Sequence, residues 1–332
     1  MLSSSRRFMS NISKHTTPIC AKSLDKWLDG DVHRRKIFNY INPTLFDVTL
    51  RDGIQGITNN EVKKFNILKK KHIFYEILYK HNPARFEIGS LVNPKVLPIF
   101  KDTIDLYKNL TLKNIHFDNL YILVPNEKQL GLGIHHSIQN YSFITSVSDA
   151  FQLKNTRKGI NDTKEEMNIM IDKINEPGEN RKDVNIKLYV SCINECPIVG
   201  KIDNDYIIKE LHRYAYGRRF NEVCLSDTCG TLQFDDFKYI IDNCIFTGVD
   251  PDKLSLHLHC SSDYNDNTEN IIHYALENGI NKFDVSIMTT GGCSVTISKE
   301  KLKSNLTYEL FYKYLCSYIN KNINRNVRSS LY

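Results

Sequence analysis

The sequence predicts one α/β domain, a (β/α)8 (TIM) barrel with a short N-terminal extension, and three observations support this. The chain has 332 residues, which suits one large barrel. After about residue 43, short β-rich runs alternate with longer stretches of helical spacing. There are eight such repeats in about 290 residues, which is the strand count and size of a closed barrel.

The eight predicted strands share β-branched and aromatic residues and are bounded by turn-forming residues. They are Thr44–Leu50, Arg85–Gly89, Asn119–Val124, Ser142–Val147, Ile186–Ser191, Glu222–Ser226, Leu254–His259 and Lys282–Met288. Strands that alternate with helices are typical of parallel βαβ units. A doubly wound open sheet shows the same alternation, but no glycine-rich phosphate fingerprint follows the first strand. The alternation therefore favours the barrel.

Five stretches between these strands have apolar residues three and four positions apart and are predicted as helices. They are Asn59–Lys80, Glu165–Ile174, Asp205–Tyr216, Phe234–Cys244 and Asn267–Glu277. Asp203 and Asn204 are suited to cap the third helix, and Gly279 lies where the fifth would end. The stretch Asn175–Asn185 is predicted as a surface loop, and we place the barrel at residues 41–325.

Residues 1–40 are predicted to form a basic leader or disordered tail, followed by an N-terminal extension. Met1–Ser23 contains no acidic residue, and its arginines and lysines alternate with serines and threonines. Both a mitochondrial transit peptide and a disordered basic tail have this composition. The first interpretation places the protein in the mitochondrial matrix, and the second in the cytoplasm.

The amino-acid composition limits the kinds of molecule that this protein is expected to bind and the compartment in which it is expected to lie. The chain is 41% hydrophobic and 25% charged, as globular proteins usually are. The net charge is +6, and acidic residues are interspersed with the lysines and arginines. This argues against binding of nucleic acid but allows attraction of anionic substrates. No apolar run approaches the roughly 18 residues of a membrane span. Nine scattered cysteines, an odd number, indicate a reducing compartment.

Polar side chains gather where the predicted strands end, which is the catalytic face of a barrel. They come from at least five strands: Arg51 and Asp52, Glu87, Ser148 and Asp149, Asp227 and Thr228, His257 and His259, and Cys293 after Gly291-Gly292. Random placement of polar residues would not favour that face. The sequence therefore predicts the active site there.

The histidine pair is the sharpest of these features. The strand period of two puts His257 and His259 on one face, with the leucines of Leu254–Leu258 on the other. Two imidazoles at the barrel mouth can share a divalent metal, with Asp52 as a carboxylate ligand from across the barrel. The alternative is a pair of hydrogen-bonded histidines on a half-exposed strand. Imidazole and carboxylate ligands suit Mg or Mn, and also Zn or Fe.

Of the other candidates, Arg51 and Glu87 each keep two interpretations, and Asp227 and Cys293 have one proposed role each. Arg51 is either a surface ion-pair partner of Asp52 or a fixed cation that stabilises an oxyanion or enolate. Glu87 is either a buried carboxylate with a raised pKa or an arginine partner. Asp227 is a possible acceptor for a metal-ligating histidine. Cys293 follows two glycines that would let its loop close over the site.

Several motifs, in the same order along the chain, resemble the hydroxymethylglutaryl-CoA lyase family of metal-dependent aldol-type lyases. The opening motif, FDVTLRDGIQ, is also similar to that of acyl-CoA Claisen synthases that share the barrel. The motifs are FDVTLRDGIQ (46–55), FEIGSLVNPKVLP (86–98), SVSDAFQLKN (146–155), YVSCINECPIVGKI (189–202), EVCLSDTCGT (222–231), HLHC (257–260), GGC (291–293) and SNLTYE (304–309). The resemblance covers about residues 44 to 320.

The resemblance implies the cleavage of 3-hydroxy-3-methylglutaryl-CoA to acetoacetate and acetyl-CoA with Mg or Mn. The implied metal ligands are Asp52, His257, His259 and Asn305. Arg51 would stabilise the enolate of acetyl-CoA, His257 is a candidate base, Cys293 is the loop cysteine, and Glu87 and Asp227 support the site. The family also suggests a homodimer and an acyl-CoA substrate.

Some positions depart from the family pattern. Cys260 to Ser262 separate the second histidine from Asp263, and Ser294 and Val295 replace the usual proline and tyrosine. These changes leave the implied metal ligands in place and bear on acyl-group specificity and loop chemistry. Two other functions stay open: a Claisen-type homocitrate or isopropylmalate synthase, and a homologue that binds an acyl-CoA or a protein without turnover. The synthases lack the GGC motif.

Overall fold

Eight parallel strands close into a barrel. The structure is a computed structural model that describes residues 20–57, 61–113, 117–176, 184–216, 219–261, 263–291 and 303–329. Most of the predicted basic leader, residues 1–19, lies outside these ranges, so the transit peptide stays a prediction. Among the described residues, no helix has both the length and the apolar character needed to cross a bilayer.

The strands are β1 (Thr44–Asp47), β2 (Arg85–Ser90), β3 (Leu120–Leu123), β4 (Asn140–Ser146), β5 (Asn185–Ser191), β6 (Glu195–Cys196), β7 (Gly200–Lys201), β8 (Glu222–Asp227), β9 (Leu254–Cys260), β10 (Lys282–Val285) and β11 (Ser304–Asn305). The barrel order is β1-β2-β3-β4-β5-β8-β9-β10, and β10 pairs with β1 to close the ring. All eight predicted strands are therefore present, and the predicted barrel is confirmed.

The helices are α1 (Ala21–Asp29), α2 (Val32–Ile41), α3 (Ile67–Lys80), α4 (Thr103–Thr111), α5 (Glu127–His135), α6 (Asp149–Thr156), α7 (Ile160–Asn175), α8 (Asn204–Ala215), α9 (Phe234–Phe246), α10 (Asp266–Glu277) and α11 (Tyr308–Ser329). Asp203 caps α8, as predicted, because its carboxylate accepts the backbone N–H of Tyr206 at 2.9 Å. Gly279, at φ 82°, follows the end of α10.

The first strand is shorter than predicted. It ends at Asp47, and Thr49–Gly53 forms a π-helical turn instead of continuing the strand to Leu50. The Asp47 carboxylate accepts the backbone N–H of Thr49 at 3.0 Å and its hydroxyl at 2.8 Å, which turns the chain inward. Arg51 and Asp52 therefore lie on a buried turn rather than at a strand end.

Other boundaries also differ. The last barrel strand ends at Val285 instead of Met288, because the backbone N–H of Met288 bonds the side chain of Ser286. Asn59, where a helix is predicted to begin, lies outside the described residues, and within them that helix begins at Ile67, where the Asn66 side chain caps it. Helices α1, α2, α4, α5, α6 and α11, the β6–β7 hairpin and β11 were not predicted.

The barrel interior contains charged groups as well as apolar ones. Asp47, Glu87, Lys187, Glu222 and Asp284 are all at most 2% exposed. Buried charges require partners: Lys187 pairs with Glu222 and Asp284, Glu87 pairs with Arg51, and Asp47 accepts hydrogen bonds from Thr49 and Tyr308. The apolar core lies mainly between the strands and the helices, as in other barrels of this class. The charged layer lies beneath the catalytic face.

Candidate active site

A cleft of about 120 Å³ opens at the carboxyl ends of the barrel strands. One part of its wall is polar and includes Arg51, Asp52, His257 and His259. Another part is mostly apolar and is formed by Val92, Leu97, Phe100, Leu123, Pro125, Ile144 and Phe151. The cleft therefore places a cluster of potential ligands beside a surface suited to carbon chains.

Asp52, His257 and His259 bring three potential metal-ligating atoms within 4.8 Å of one another. The two histidine Nε2 atoms are 2.9 Å apart. The Asp52 Oδ2 atom is 3.9 Å from Nε2 of His257 and 3.8 Å from Nε2 of His259. All three side chains are at most 5% exposed. Among the residues that the structure describes, this is the one such group of His, Cys, Asp and Glu.

The outer nitrogens of both rings are already occupied. His257 Nδ1 lies 3.0 Å from Asp284 Oδ2, and His259 Nδ1 lies 3.1 Å from the carbonyl oxygen of Lys303. Both partners are acceptors, so each ring donates its Nδ1 proton outward, and a neutral ring at either position turns its Nε2 lone pair toward the other ring. Burial and the neighbouring His257 lower the pKa of His259 to about 4, which keeps that ring neutral. Two Nε2 atoms this close are stabilised when they share a proton or bind the same metal ion beside them.

Asn305 completes one side of this cluster. It lies on β11, which pairs antiparallel with β9 so that Asn305 is opposite His259. Its Nδ2 donates to the Thr290 carbonyl oxygen at 3.3 Å. Its Oδ1 is buried and has no hydrogen-bond partner among the described residues. A buried amide oxygen in that state is suited to a metal ligand.

Arg51 is a buried cation shared by two carboxylates. Its Nη1 donates to Asp52 at 2.6 Å, and its Nε donates to Glu87 at 2.5 Å. Arg51 is only 7% exposed, so the interpretation of a surface ion pair is wrong. Glu87 is fully buried and is an arginine partner, and the Tyr189 hydroxyl also donates to it at 3.1 Å. The two carboxylates fix the orientation of the guanidinium at the cleft.

Asp227 does not contact the histidines, so its prediction as an acceptor for a metal-ligating histidine is wrong. Its carboxylate accepts the backbone N–H groups of Thr231 at 3.1 Å and Leu232 at 3.0 Å. Burial raises its pKa to about 6, against the effect of these two hydrogen bonds. Asp227 therefore stabilises the loop after β8, which forms one rim of the cleft.

Asp284 occupies the place predicted for Asp227, and the sequence reasoning missed it. It lies on β10, next to β9 in the closed barrel, with one oxygen on His257 and the other on Lys187. Burial disfavours its charge, but Lys187 and His257 outweigh that effect and lower its pKa to about 2. The sequence did contain a signal for Asp284, since it is a carboxylate between the apolar residues Phe283 and Val285 in a predicted strand.

The cysteines add little to the described part of the site. Cys293, the predicted loop cysteine, lies outside the described residues. Cys192 and Cys196 are buried, and the Ser148 hydroxyl donates to the Cys196 sulfur at 3.0 Å. Burial raises the pKa of Cys192 well above that of a free thiol. These two cysteines therefore have the properties of packed core residues.

Known proteins are similar to this chain along most of its length. The HMGL-like family model matches residues 42–315. The mitochondrial hydroxymethylglutaryl-CoA lyase of Arabidopsis thaliana is 27% identical over 75% of this chain, which spans only 50% of that relative. Hydroxymethylglutaryl-CoA lyase YngG of Bacillus subtilis is 24% identical over 75% of this chain and 78% of its own length.

Solved structures share the barrel. A hydroxymethylglutaryl-CoA lyase from Acinetobacter baumannii has a TM-score of 0.67 and 19% identity, over 83% of this chain and 88% of its own. The enzyme from Pseudomonas aeruginosa has a TM-score of 0.65 and 22% identity, over 83% and 86%. At these identities the likeness shows the fold alone. The expected carbon–carbon lyase class is that of the curated relatives. Because the family model spans most of the barrel, this chain belongs to the HMGL-like family.

Proposed function

We propose that this protein is a divalent-metal-dependent carbon–carbon lyase. Its proposed substrate is 3-hydroxy-3-methylglutaryl-CoA, cleaved to acetoacetate and acetyl-CoA, or a related 3-hydroxyacyl-CoA cleaved in the same way. The observation that carries the proposal is the convergence of the His257 and His259 Nε2 atoms on Asp52 Oδ2, in a chain of this family. Arg51 lies directly beside that cluster.

The donor set fits Mg or Mn. Asp52, His257, His259 and Asn305 would hold the ion, and the last three offer neutral donors beside one carboxylate. Two facing imidazole lone pairs and an unpartnered amide oxygen are unfavourable without a cation. When bound, such an ion would supply Lewis acidity that eases loss of the proton from a substrate hydroxyl.

The cleavage needs one proton removed and one delivered. The hydroxyl on C3 loses its proton as the bond between C2 and C3 breaks, which leaves a ketone and the enolate of acetyl-CoA. The Asp52 carboxylate is the proposed base, because His257 offers its one lone pair, on Nε2, to the ion and carries a proton on Nδ1. The enolate then takes a proton at C2 to give acetyl-CoA, and the acid proposed for this step lies near Cys293.

Arg51 is proposed to stabilise the negative charge of the enolate oxygen. Its guanidinium stays charged in the buried site because Glu87 and Asp52 raise its pKa against the effect of burial. These two carboxylates hold the cation in one orientation before substrate arrives. A fixed, preorganised cation stabilises developing charge without rearrangement during the reaction.

An acyl-CoA substrate fits both the comparisons and the cleft. The solved lyase from Acinetobacter baumannii is in complex with coenzyme A and 3-methylmalate. Here, the apolar residues Val92, Leu97, Phe100 and Ile144 line the same cleft as the polar cluster. Such an apolar lining would shield the reacting carbons from water while the hydroxyl faces the proposed metal.

The decisive experiment is a measurement of acetoacetate release from 3-hydroxy-3-methylglutaryl-CoA with Mg or Mn, and then with EDTA. We expect metal-dependent release, abolished by Asp52→Ala or His257→Ala while circular dichroism remains that of a folded barrel. Asp263→Ala is the matched control, since Asp263 is exposed just after β9 and should leave the rate unchanged.

Three outcomes would contradict the proposal. Full activity of Asp52→Ala in the presence of EDTA would remove the metal mechanism. Thiol release that requires both acetyl-CoA and a 2-oxo acid would identify a Claisen-type synthase. Tight metal binding by the folded wild-type protein, without product from any 3-hydroxyacyl-CoA, would favour a binding homologue.

A further inference from the structure

A chain of buried charges lies beneath the active site, and the proposed chemistry does not use it. Arg85 Nη1 lies 2.9 Å from Glu222 Oε2, and Lys187 Nζ lies 2.9 Å from Glu222 Oε1. Lys187 also donates to Asp284 Oδ1, and Asp284 Oδ2 meets His257 Nδ1 at 3.0 Å. The chain links β2, β8, β5, β10 and β9 through the barrel interior.

Lys187 is tightly confined. It is less than 1% exposed, it contacts two carboxylates, and its ammonium lies 3.9 Å from the centroid of the Phe46 ring. A buried ammonium keeps its charge only when carboxylates compensate the lost hydration. It therefore holds one oxygen of Asp284 and leaves the other for His257. The two oxygens of Asp284 serve two different donors.

We propose that Asp284, held by Lys187, is a positioning residue that keeps the proton of His257 on Nδ1 and so leaves the Nε2 lone pair facing the cleft. This inference rests on the proposed function, because the lone pair matters when Nε2 binds the metal. Partners of this kind orient metal-binding histidines in many proteins and raise their basicity. In this barrel, the position of Asp284 depends on a cation on β5, two strands away from β9.

The Asp284→Asn variant separates this role from simple packing, because an amide has one acceptor oxygen where the carboxylate has two. Lys187, as a cation, takes that oxygen. The amide NH₂ then faces His257 Nδ1, which must become an acceptor. The ring proton therefore moves to Nε2, and His257 can no longer offer that lone pair.

The Lys187→Met/Asp284→Asn double variant should reverse this change. Without the ammonium, the amide oxygen is free to turn toward His257 and accept its Nδ1 proton again. The double variant also leaves Glu222 paired with Arg85, so no extra buried cation remains. A purely structural role of Asp284 predicts the opposite, because two core substitutions would be at least as harmful as one.

The experiment combines ¹⁵N NMR of the histidine rings in the metal-free protein with calorimetric titration of Mn²⁺. We expect a protonated Nδ1 at His257 in the wild type and in the double variant, and an unprotonated Nδ1 in Asp284→Asn. Mn²⁺ affinity should fall by about 10- to 100-fold in Asp284→Asn and recover in the double variant. Glu210→Gln is the control, a buried carboxylate on α8 that pairs with Lys164 and should leave Mn²⁺ affinity unchanged.

The outcomes separate this inference from the proposed function. If the wild type binds no Mn²⁺, the proposed function fails, while the NMR result still tests the position of the proton. An unprotonated Nδ1 at His257 in the wild type overturns the inference, even if no variant folds. Unchanged Nδ1 protonation and Mn²⁺ affinity in folded Asp284→Asn also overturns it, whereas the proposed metal site then stands.

Discussion

Replacing Asp47 with asparagine should change the pH dependence of stability in a defined direction. Asp47 is 1% exposed, and it accepts hydrogen bonds from Thr49 and, at 2.9 Å, from the Tyr308 hydroxyl. Burial raises its pKa to about 7, because these hydrogen bonds only partly replace lost hydration, and the nearby charge of Asp284 adds to the effect. An asparagine does not ionise, so it avoids the free-energy cost of a buried, ionised carboxylate at high pH.

The magnitude follows from the two pKa values. A folded pKa of about 7 against the ordinary 3.8 corresponds, at 1.36 kcal/mol per unit, to about 4 kcal/mol. Between these values the folded state of the wild type binds a proton that the unfolded state has lost. Its stability therefore falls as pH rises from about 4 to 7. The free energy of unfolding of Asp47→Asn, minus that of the wild type, should increase by a few kcal/mol over that range.

Urea denaturation of both proteins at pH 5 and pH 8 measures this difference, and other titrating groups cancel in the subtraction. Asp242→Asn is the control: its carboxylate is exposed and paired with Lys238, which lowers its pKa. Its folded and unfolded pKa values both lie below 5, so for that variant the difference from the wild type should stay constant between pH 5 and pH 8. A difference between Asp47→Asn and wild type that stays constant between pH 5 and 8 would refute the reasoning.

Three further predictions concern packing and charge. Gly230→Ala should lower the free energy of unfolding in urea by at least about 2 kcal/mol, because the φ of Gly230 is 66° and the new Cβ would lie 2.5 Å from the backbone oxygen of His259. In the control Gly56→Ala, the new Cβ meets nothing within 4 Å, and the free energy of unfolding should hardly change. Phe237→Ala should lose about 3–5 kcal/mol, while Phe246→Ala on the same helix, 89% exposed, should lose almost none. Arg51→Lys should lower kcat roughly 10²- to 10³-fold with an unchanged circular dichroism spectrum, because one ammonium cannot bond both Glu87 and Asp52 as the guanidinium does. An unaltered kcat would remove Arg51 from the mechanism.

Sequence reasoning performed best where the information is local. Period-two alternation put His257 and His259 on one face, and the structure brings their Nε2 atoms to 2.9 Å. It performed worst where a short-range contact redirects the chain. The strand predicted through Leu50 ends at Asp47, since that carboxylate bonds the backbone of Thr49 and starts a turn. No periodic pattern reports such a contact.

The sequence by itself determined the barrel, because each strand and helix carries its own apolar period and the order of elements allows few topologies. It also supplied the residue types of the proposed metal site. Only the tertiary structure decided which side chains meet: closure of the ring sets β10 beside β9, so Asp284 rather than Asp227 bonds His257. Such contacts join residues 27 positions apart through strand order and register, which no local pattern encodes.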